Sequence, residues 1–289
     1  MADAATVTVV VMTRDRRDNV LQTLHRLTAL PEQPPVIVVD NASTDDTAAA
    51  VAEQFPAVRL IALSENHGAP ARTIGVEAAS TPYVAFADDD SWWAPGALGR
   101  AADVFDGCRA LGLLAARVLV GPQERLDPVC GLMAASPLPR AADAPGPSVL
   151  GFLACGAVVR REAYLQVGGF SPVLFFCGEE ALLAQDLMAA GWQLAYVDEV
   201  VAHHHPGSVQ AGRSGRDRLA VRNAVLSLWM RRPAAVALTG TARLVGSRRD
   251  AAAFRGLADA LRAGPTALTH RSLLPPHVEH QVRLLSRRP

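Results

Sequence analysis

Short apolar runs that alternate with helix-like segments constrain this chain more than any other feature. Residues 7–12 are a β-branched run, and residues 19–28 then place Leu21, Leu24 and Leu27 on one helical face. Residues 36–39 form a second run that ends in Asp40, after which Ser43 and Asp46 make a capping-box pattern for a helix running toward Phe55. Residues 58–63 are a third run and 72–79 the next helix. Residues 83–87 are a fourth run, ending in Asp88, Asp89 and Asp90. Strands alternating with helices make an α/β fold with a mostly parallel sheet covered on both faces. Such sheets bind ligands beyond the carboxyl ends of their strands, where Asp40 and the 88–90 triplet both stand.

The second half is less regular. Residues 121–150 hold six prolines with little periodicity, which predicts a long irregular loop. An apolar run over 149–159 is followed by Gly168 and Gly169, which mark a turn. Residues 180–190 read as a helix with Leu182, Leu183, Leu187 and Met188 as its apolar positions. Two short strands, 193–197 and 200–202, lead into His203, His204 and His205. From Gly212 onward Arg-rich helical patterns dominate.

Charge narrows the function. All 28 basic residues are Arg, so chemistry that needs a Lys is excluded: a P-loop, a Schiff base or a Ser-Lys pair. Residues 1–212 hold 13 Arg against 24 Asp and Glu, a balance of −11. Residues 213–289 hold 15 Arg against 4, a balance of +11. An acidic main domain argues against nucleic acid as its partner. Four widely spaced cysteines without a CxxC pattern predict reduced thiols. With no long apolar stretch and no basic region ahead of the first apolar run, the expected location is cytoplasmic.

Three adjacent carboxylates raise one another's pKa, and a divalent cation removes that repulsion. Oxygen ligands at a loop suit Mg²⁺ or Mn²⁺, often with phosphate oxygens completing the sphere. The competing reading is a solvated acidic turn that caps a following helix.

The segments VTVVVMTRDR, VIVVDNASTDDT, NHGAPARTIG and AFADDDSWWAPGAL, in that order, resemble the nucleotide-binding half of family 2 glycosyltransferases with the GT-A fold. LACGAVVRREAYLQVGGF and FFCGEEALLAQDLMAAGWQLAYVDEVVAHHH resemble the acceptor half. The resemblance implies a nucleotide-binding half over 1–120, an acceptor half over 150–211 and a helical extension over 212–289. It also implies an inverting transfer from a nucleotide-sugar, UDP- or dTDP-linked, to an acceptor with a free hydroxyl, as in cell-surface glycan or natural-product glycosylation. Thr13 and Arg14 match positions lining the base, and Asp40 the carboxylate that accepts from a pyrimidine ring N–H. Arg72 matches an Arg facing the nucleotide; Thr73 follows it where the family often has Asn. Asp88 matches the carboxylate near the ribose, with Asp89 beside it in the nucleotide site. Asp90 matches the metal carboxylate, with Asp88 as a second ligand. The His triplet matches a metal-binding His of some members, with His203 and His205 as candidates. Glu180 stands where the general base is usually Asp, and Glu179 is the alternative. Two other readings stay open: a sugar-nucleotide pyrophosphorylase and a non-catalytic nucleotide-sugar binder.

In the extension, Arg216, Arg218, Arg222, Arg231 and Arg232 flank Leu219, Val225, Leu226, Trp229 and Met230. A basic amphipathic helix can lie on the inner face of an anionic membrane. The other expectation is a helical subdomain packed on the acidic main domain. Arg222-Asn223 is similar to an RN pair in members that act on lipid-linked acceptors.

Overall fold

A computed structural model describes residues 5–207, 213–248 and 250–286. In chain order the elements are β1 (Val7–Thr13), α1 (Arg17–Thr28), β2 (Val36–Asp40), α2 (Thr47–Gln54), β3 (Arg59–Ala62), α3 (Ala71–Ala78), β4 (Tyr83–Asp88), β5 (Ser91–Trp93), α4 (Ala97–Gly107) and β6 (Leu111–Val120). There follow β7 (Arg125–Leu126), α5 (Pro128–Ala134), β8 (Ala157–Arg160), α6 (Arg161–Gln166), α7 (Glu179–Ala189) and β9 (Gln193–His204). Four helices end the chain: α8 (Arg213–Arg231), α9 (Ala234–Arg248), α10 (Ala251–Thr269) and α11 (Pro276–Leu285).

The sheet runs β3-β2-β1-β4-β8-β6-β9-β5, with β7 paired to β6. Strands β1, β2, β3, β4, β6 and β9 point one way, and β5, β7 and β8 the other. Alternate residues of a strand face opposite sides. Val9 and Val11 accordingly enter a core with Leu24 and Leu27 of α1, Val51 of α2 and Phe105 of α4. Val10 enters the opposite core with Val76 of α3, Tyr164 of α6 and Leu183 and Leu187 of α7. Burial on both faces is why β1 reads as a continuous apolar run. A Cβ at Gly75 would overlap Val10, so the missing side chain lets α3 lie close to the sheet. That approach sets Arg72 near the strand ends.

Several expectations are corrected. The Ser43/Asp46 capping box does not form: Ser43 donates to Asp40, while Asp45 Oδ1 accepts from Thr47 N at 3.0 Å at the start of α2. The 121–150 segment contains β7 and α5; Pro128 opens α5 and Asp127 Oδ1 caps it, accepting from Val129 N at 2.8 Å. The 149–159 run is a strand only from Ala157, after a 3₁₀ turn over Ala154–Gly156, because a short buried apolar run has no period that distinguishes a strand from a packed turn. The two strands at 193–197 and 200–202 are one strand, β9, whose register with β6 jumps between Ala116/Arg117. His203 and His204 are therefore strand residues, with His205 directly after β9: Trp92 of β5 pairs with His203 and Ser91 with His204. The 88–90 triplet leads into β5, not into a helix.

The C-terminal helices pack on the segment 173–182 and on α7. Val225, Leu226 and Met230 of α8 share a core with Ala260 and Ala267 of α10, and with Val173, Leu174 and Leu182 of the main body. Arg231 makes a two-armed ion pair with Asp186 of α7, at 2.5 and 2.9 Å. Arg218 pairs with Asp259, and Arg232 with Glu279. The expected boundary at Gly212 lies outside the described residues. Among the described residues no helix is long and apolar enough to cross a membrane.

Candidate active site

Parallel pairing brings the carboxyl ends of three strands together. Thr13 of β1 lies opposite Asp40 of β2, and Met12 lies opposite Asp88 of β4. Residues from distant parts of the chain thus meet one strand spacing apart, about 4.8 Å.

The three aspartates do three different things. Asp88 pairs with Arg72, whose guanidinium is buried while its Nε and Nη1 lack a protein partner. Burial opposes the charge on Arg72, but Asp88, Glu179 and Glu180 together outweigh it and hold its pKa above the ordinary value. Two unpaired nitrogens on a buried cation are costly unless an anion meets them. Asp89 is buried between Arg16 Nε at 2.8 Å and Thr13 Oγ1 at 3.3 Å. Burial pushes its pKa up to about 7; Arg16 opposes that shift, and the charges of Asp90 and Asp88 reinforce it. Asp90 accepts from Arg16 Nη2 at 2.8 Å and lies 3.3 Å from His204 Nε2. Burial would raise its pKa, but His204 and Arg16 outweigh that effect and lower it. The hydrogen bond to Asp90 in turn raises the pKa of His204.

Arg16 is the residue that sequence reasoning missed. Its signal was charge: a triplet of carboxylates at a strand end needs a cation, and the segment after β1 offers three Arg. His203 and His205 are corrected as metal candidates. Strand alternation turns both away from the carboxylates, onto Trp92: His203 stacks at 5.4 Å between centroids, and His205 meets the ring edge-on at 4.6 Å. His203 Nδ1 also lies 3.2 Å from Glu124. His204 faces the site instead. One donor atom each from Asp88, His204 and the buried Cys155 lie within 4.8 Å of one another.

Asp40 is buried, and its carboxylate accepts from Ser43 N at 3.2 Å and from Ser43 Oγ. Asn41, next in sequence, accepts from His67 N at 2.8 Å and donates to Gly68 O at 3.1 Å, which ties the 66–68 turn to β2. The Thr13 hydroxyl is committed to Asp89. Arg14 is exposed and pairs with Asp15 at 3.3 Å, apart from the carboxylate cluster.

Glu179 and Glu180 open α7 behind Gly178, which sits at φ 89°. A helix N-terminus favours negative charge, yet here burial prevails. It pushes Glu179 up to about 7, with help from the charge on Glu180, and it raises Glu180 as well. Glu179 is buried, and its Oε2 has no partner. Glu180 lines an apolar cavity of about 530 Å³ with Leu132, Met133, Leu150 and Phe152.

The loop before α7 is clamped from two sides. Phe175 and Cys177 adopt φ of 65° and 74°, a region that non-glycine residues rarely enter. Phe175 O accepts from Ala69 N at 2.7 Å, and a Cβ at Gly68 would overlap that carbonyl. From the other side, buried Asn223 Nδ2 lies 2.8, 2.6 and 2.7 Å from the carbonyls of Leu174, Phe176 and Cys177. Arg222 Nη2 donates to Val173 O at 3.0 Å. The Arg222-Asn223 pair thus braces the segment that delivers Glu179 and Glu180.

Residues 8–168 match the sequence model of glycosyl transferase family 2. The chain belongs to that family. It is 30% identical over 242 residues to the N-acetylglucosaminyl-diphospho-decaprenol L-rhamnosyltransferase of Mycobacterium tuberculosis, covering 72% of this chain and 78% of that one. The fold resembles mannosyltransferase PcManGT from Pyrobaculum calidifontis, solved with GDP-Man and Mn²⁺. The TM-score is 0.59 at 21% identity, covering 99% of this chain and 80% of that one. It also resembles GalNAc-T7, solved with UDP, GalNAc and Mn²⁺, with a TM-score of 0.64 at 13% identity over 86% of this chain and 52% of that one. A third likeness, to S. aureus TarS 1-349 with UDP, has a TM-score of 0.54 at 13% identity and covers 91% and 90% of the two chains. This family 2 protein is a glycosyltransferase with the GT-A fold, and membership displaces the pyrophosphorylase reading.

Proposed function

We propose that this glycosyltransferase moves a sugar, with inversion, from a UDP- or dTDP-sugar to a hydroxyl of a lipid-linked sugar acceptor. The observation that carries the reading is the buried Arg72 guanidinium with two unpaired nitrogens, close to Asp88 and the Glu179-Glu180 pair. A diphosphate supplies the oxygens that such a group lacks. The pyrimidine base lies at the end of β2, where Asp40 accepts from the ring N–H. The Mycobacterium relative, whose name gives a diphospho-lipid acceptor, supports the acceptor class.

Asp88 and His204, whose donor atoms lie within 4.8 Å of one another, fit a divalent cation, Mg²⁺ or Mn²⁺, with Asp90 3.3 Å from His204 as the further carboxylate, since carboxylate and imidazole donors suit both. Burial raises the Cys155 thiol well above its ordinary pKa and keeps it a protonated neighbour. When bound, the cation supplies positive charge against the departing diphosphate. Arg72 adds a fixed charge beside it. Glu180 takes the proton from the acceptor hydroxyl; its raised pKa brings it closer to working pH, where a general base is most effective. The proposed organisation is a catalytic domain over 1–211 with a helical extension over 212–289. The proposed location is the cytoplasmic face of a membrane.

The donor half of the reading is tested by calorimetry. UDP and dTDP should bind in a Mn²⁺-dependent manner and CDP should not. Asp40→Ala should weaken UDP by about 1.5–3 kcal/mol, the range for a hydrogen bond to a charged group. Equal affinity for UDP and CDP would remove Asp40 from base recognition. A lack of transfer to any lipid-linked acceptor, with donor binding intact, would remove the acceptor assignment.

A further inference from the structure

The arginine excess of the tail is only partly used by the contacts described so far. Between α7, α8, α9 and α11 lies a cavity of about 690 Å³, larger than the one at Glu180. Arg232, Arg243 and Arg283 line it, with Leu228, Leu244 and Ser247 among the other walls. Glu279 accepts from both Arg232 and Arg283, at 3.0 Å and 2.7 Å, and so balances one of those two charges. Arg243 is exposed and has no acidic partner among the described residues. The lining therefore carries uncompensated positive charge beside half-buried leucines, a combination complementary to an anion that bears an apolar chain.

This cavity adjoins the acceptor cavity. Gln185 lines the basic cavity and Ala181 the acceptor cavity, and they lie four residues apart on one face of α7, about 6 Å along its axis. On α11, Leu285 lines the acceptor cavity, and its neighbours Arg283 and Ser286 line the basic one. The two cavities share α7 and α11 as walls.

We infer that the basic cavity is a subsite for the phosphate and the adjoining isoprenoid of the acceptor lipid, whose sugar hydroxyl reaches Glu180 in the neighbouring cavity. The inference rests on the lipid-linked acceptor reading above. Arg243, with the free share of Arg232 and Arg283, receives the phosphate oxygens. Leu228 and Leu244 cover the first part of the apolar chain. The cavity thereby distinguishes phosphate-bearing acceptors from neutral glycosides with the same terminal sugar.

The test uses the full chain with excess UDP, to keep the probe out of the donor crevice, and farnesyl diphosphate as that probe. Calorimetry should show binding that Arg243→Glu weakens by about tenfold or more, as expected for a charged hydrogen bond lost, while Arg243→Lys retains most of it. Leu244→Ser should weaken farnesyl diphosphate without affecting inorganic pyrophosphate. Undiminished binding to Arg243→Glu, or no binding to the wild type, overturns the subsite. Pyrophosphate binding as tightly as farnesyl diphosphate overturns the lipid part. Failure of the parent reading gives a different pattern: the probe binds through Arg243, yet no lipid-linked acceptor is glycosylated. In turnover, Arg243→Glu should raise KM for a phosphate-bearing acceptor and leave kcat and donor affinity unchanged.

Discussion

The crevice at the strand ends and the start of α7 each contain carboxylates, and each treats them in the opposite way. At the strand ends Asp90 is held by Arg16 and His204 and its pKa falls. At the start of α7, Glu179 and Glu180 have raised pKa values, because burial outweighs the nearby charge of Arg72. Both environments bury the carboxylate and hold an Arg nearby; the difference is whether the cations outweigh the desolvation, as they do at Asp90 and do not at Glu179 and Glu180. A paired carboxylate stays an anion and suits metal and phosphate chemistry. A desolvated one holds a proton more readily and suits proton transfer. Asp89 shows that burial can prevail within the crevice itself, since it rises to about 7 despite its ion pair with Arg16.

The largest expected effect breaks the acceptor side. Glu180→Gln keeps the shape but cannot accept a proton, so kcat should fall by roughly 10²–10⁴-fold with donor affinity nearly unchanged. Glu179→Gln should do less, because its side chain points about 100° away around the helix. Steady-state kinetics on both variants decides it: near-normal kcat for Glu180→Gln beside an inactive Glu179→Gln would move the base by one residue.

On the donor side, Asp90→Ala and His204→Ala should each lower Mn²⁺-dependent nucleotide binding, by about tenfold or more for a direct ligand. His203→Ala should leave it within about twofold, since stacking on Trp92 supplies no metal donor. Calorimetry with and without Mn²⁺ separates the two histidines, and an equal loss in both would return the metal to the other face of β9.

A smaller effect links the tail to the acceptor side. Asn223→Ala removes the side-chain donor shared by the carbonyls of Leu174, Phe176 and Cys177, of which Leu174 keeps Phe176 N, a cost of about 1–3 kcal/mol in stability. Below its melting temperature the variant should show reduced kcat, a shifted pH profile for the base and unchanged donor affinity. Weakened nucleotide binding in this variant would mean that the brace serves the crevice as well.

The smallest effect concerns pH. Glu179 and Asp89 have folded pKa values near 7, above their ordinary ones. Between about pH 4 and 7 the folded state therefore binds more protons than the unfolded chain, and these two groups make stability fall as pH rises. The Asp90–His204 pair acts otherwise. Its contribution is lost as pH falls through the lowered pKa of Asp90, and lost again as pH rises through the raised pKa of His204. Melting temperatures of the metal-free protein should thus drop from pH 5 to pH 8, and Glu179→Gln should flatten the slope. A slope unchanged by that substitution would show that Glu179 is ionised in the folded state.

The alternation of apolar runs and amphipathic helices was enough to predict a mostly parallel sheet, because burial on both faces of β1, β2 and β4 leaves a continuous apolar signature. It also placed Asp40 and Asp88 at strand ends, where the parallel register sets them on either side of β1. Other features depend on contacts between segments far apart in the chain, which no local pattern records. The turn at β9 that presents His204 and withdraws His203 depends on a register jump against β6. The role of Arg16 depends on β1 ending beside β4. The brace from Arg222 and Asn223 to the loop at 173–177 joins residues some fifty positions apart, in segments where periodicity shows only a helix and a loop. Residue type and local period are written along the chain. Which buried carboxylate is compensated by its cations and which stays desolvated is decided where the segments pack.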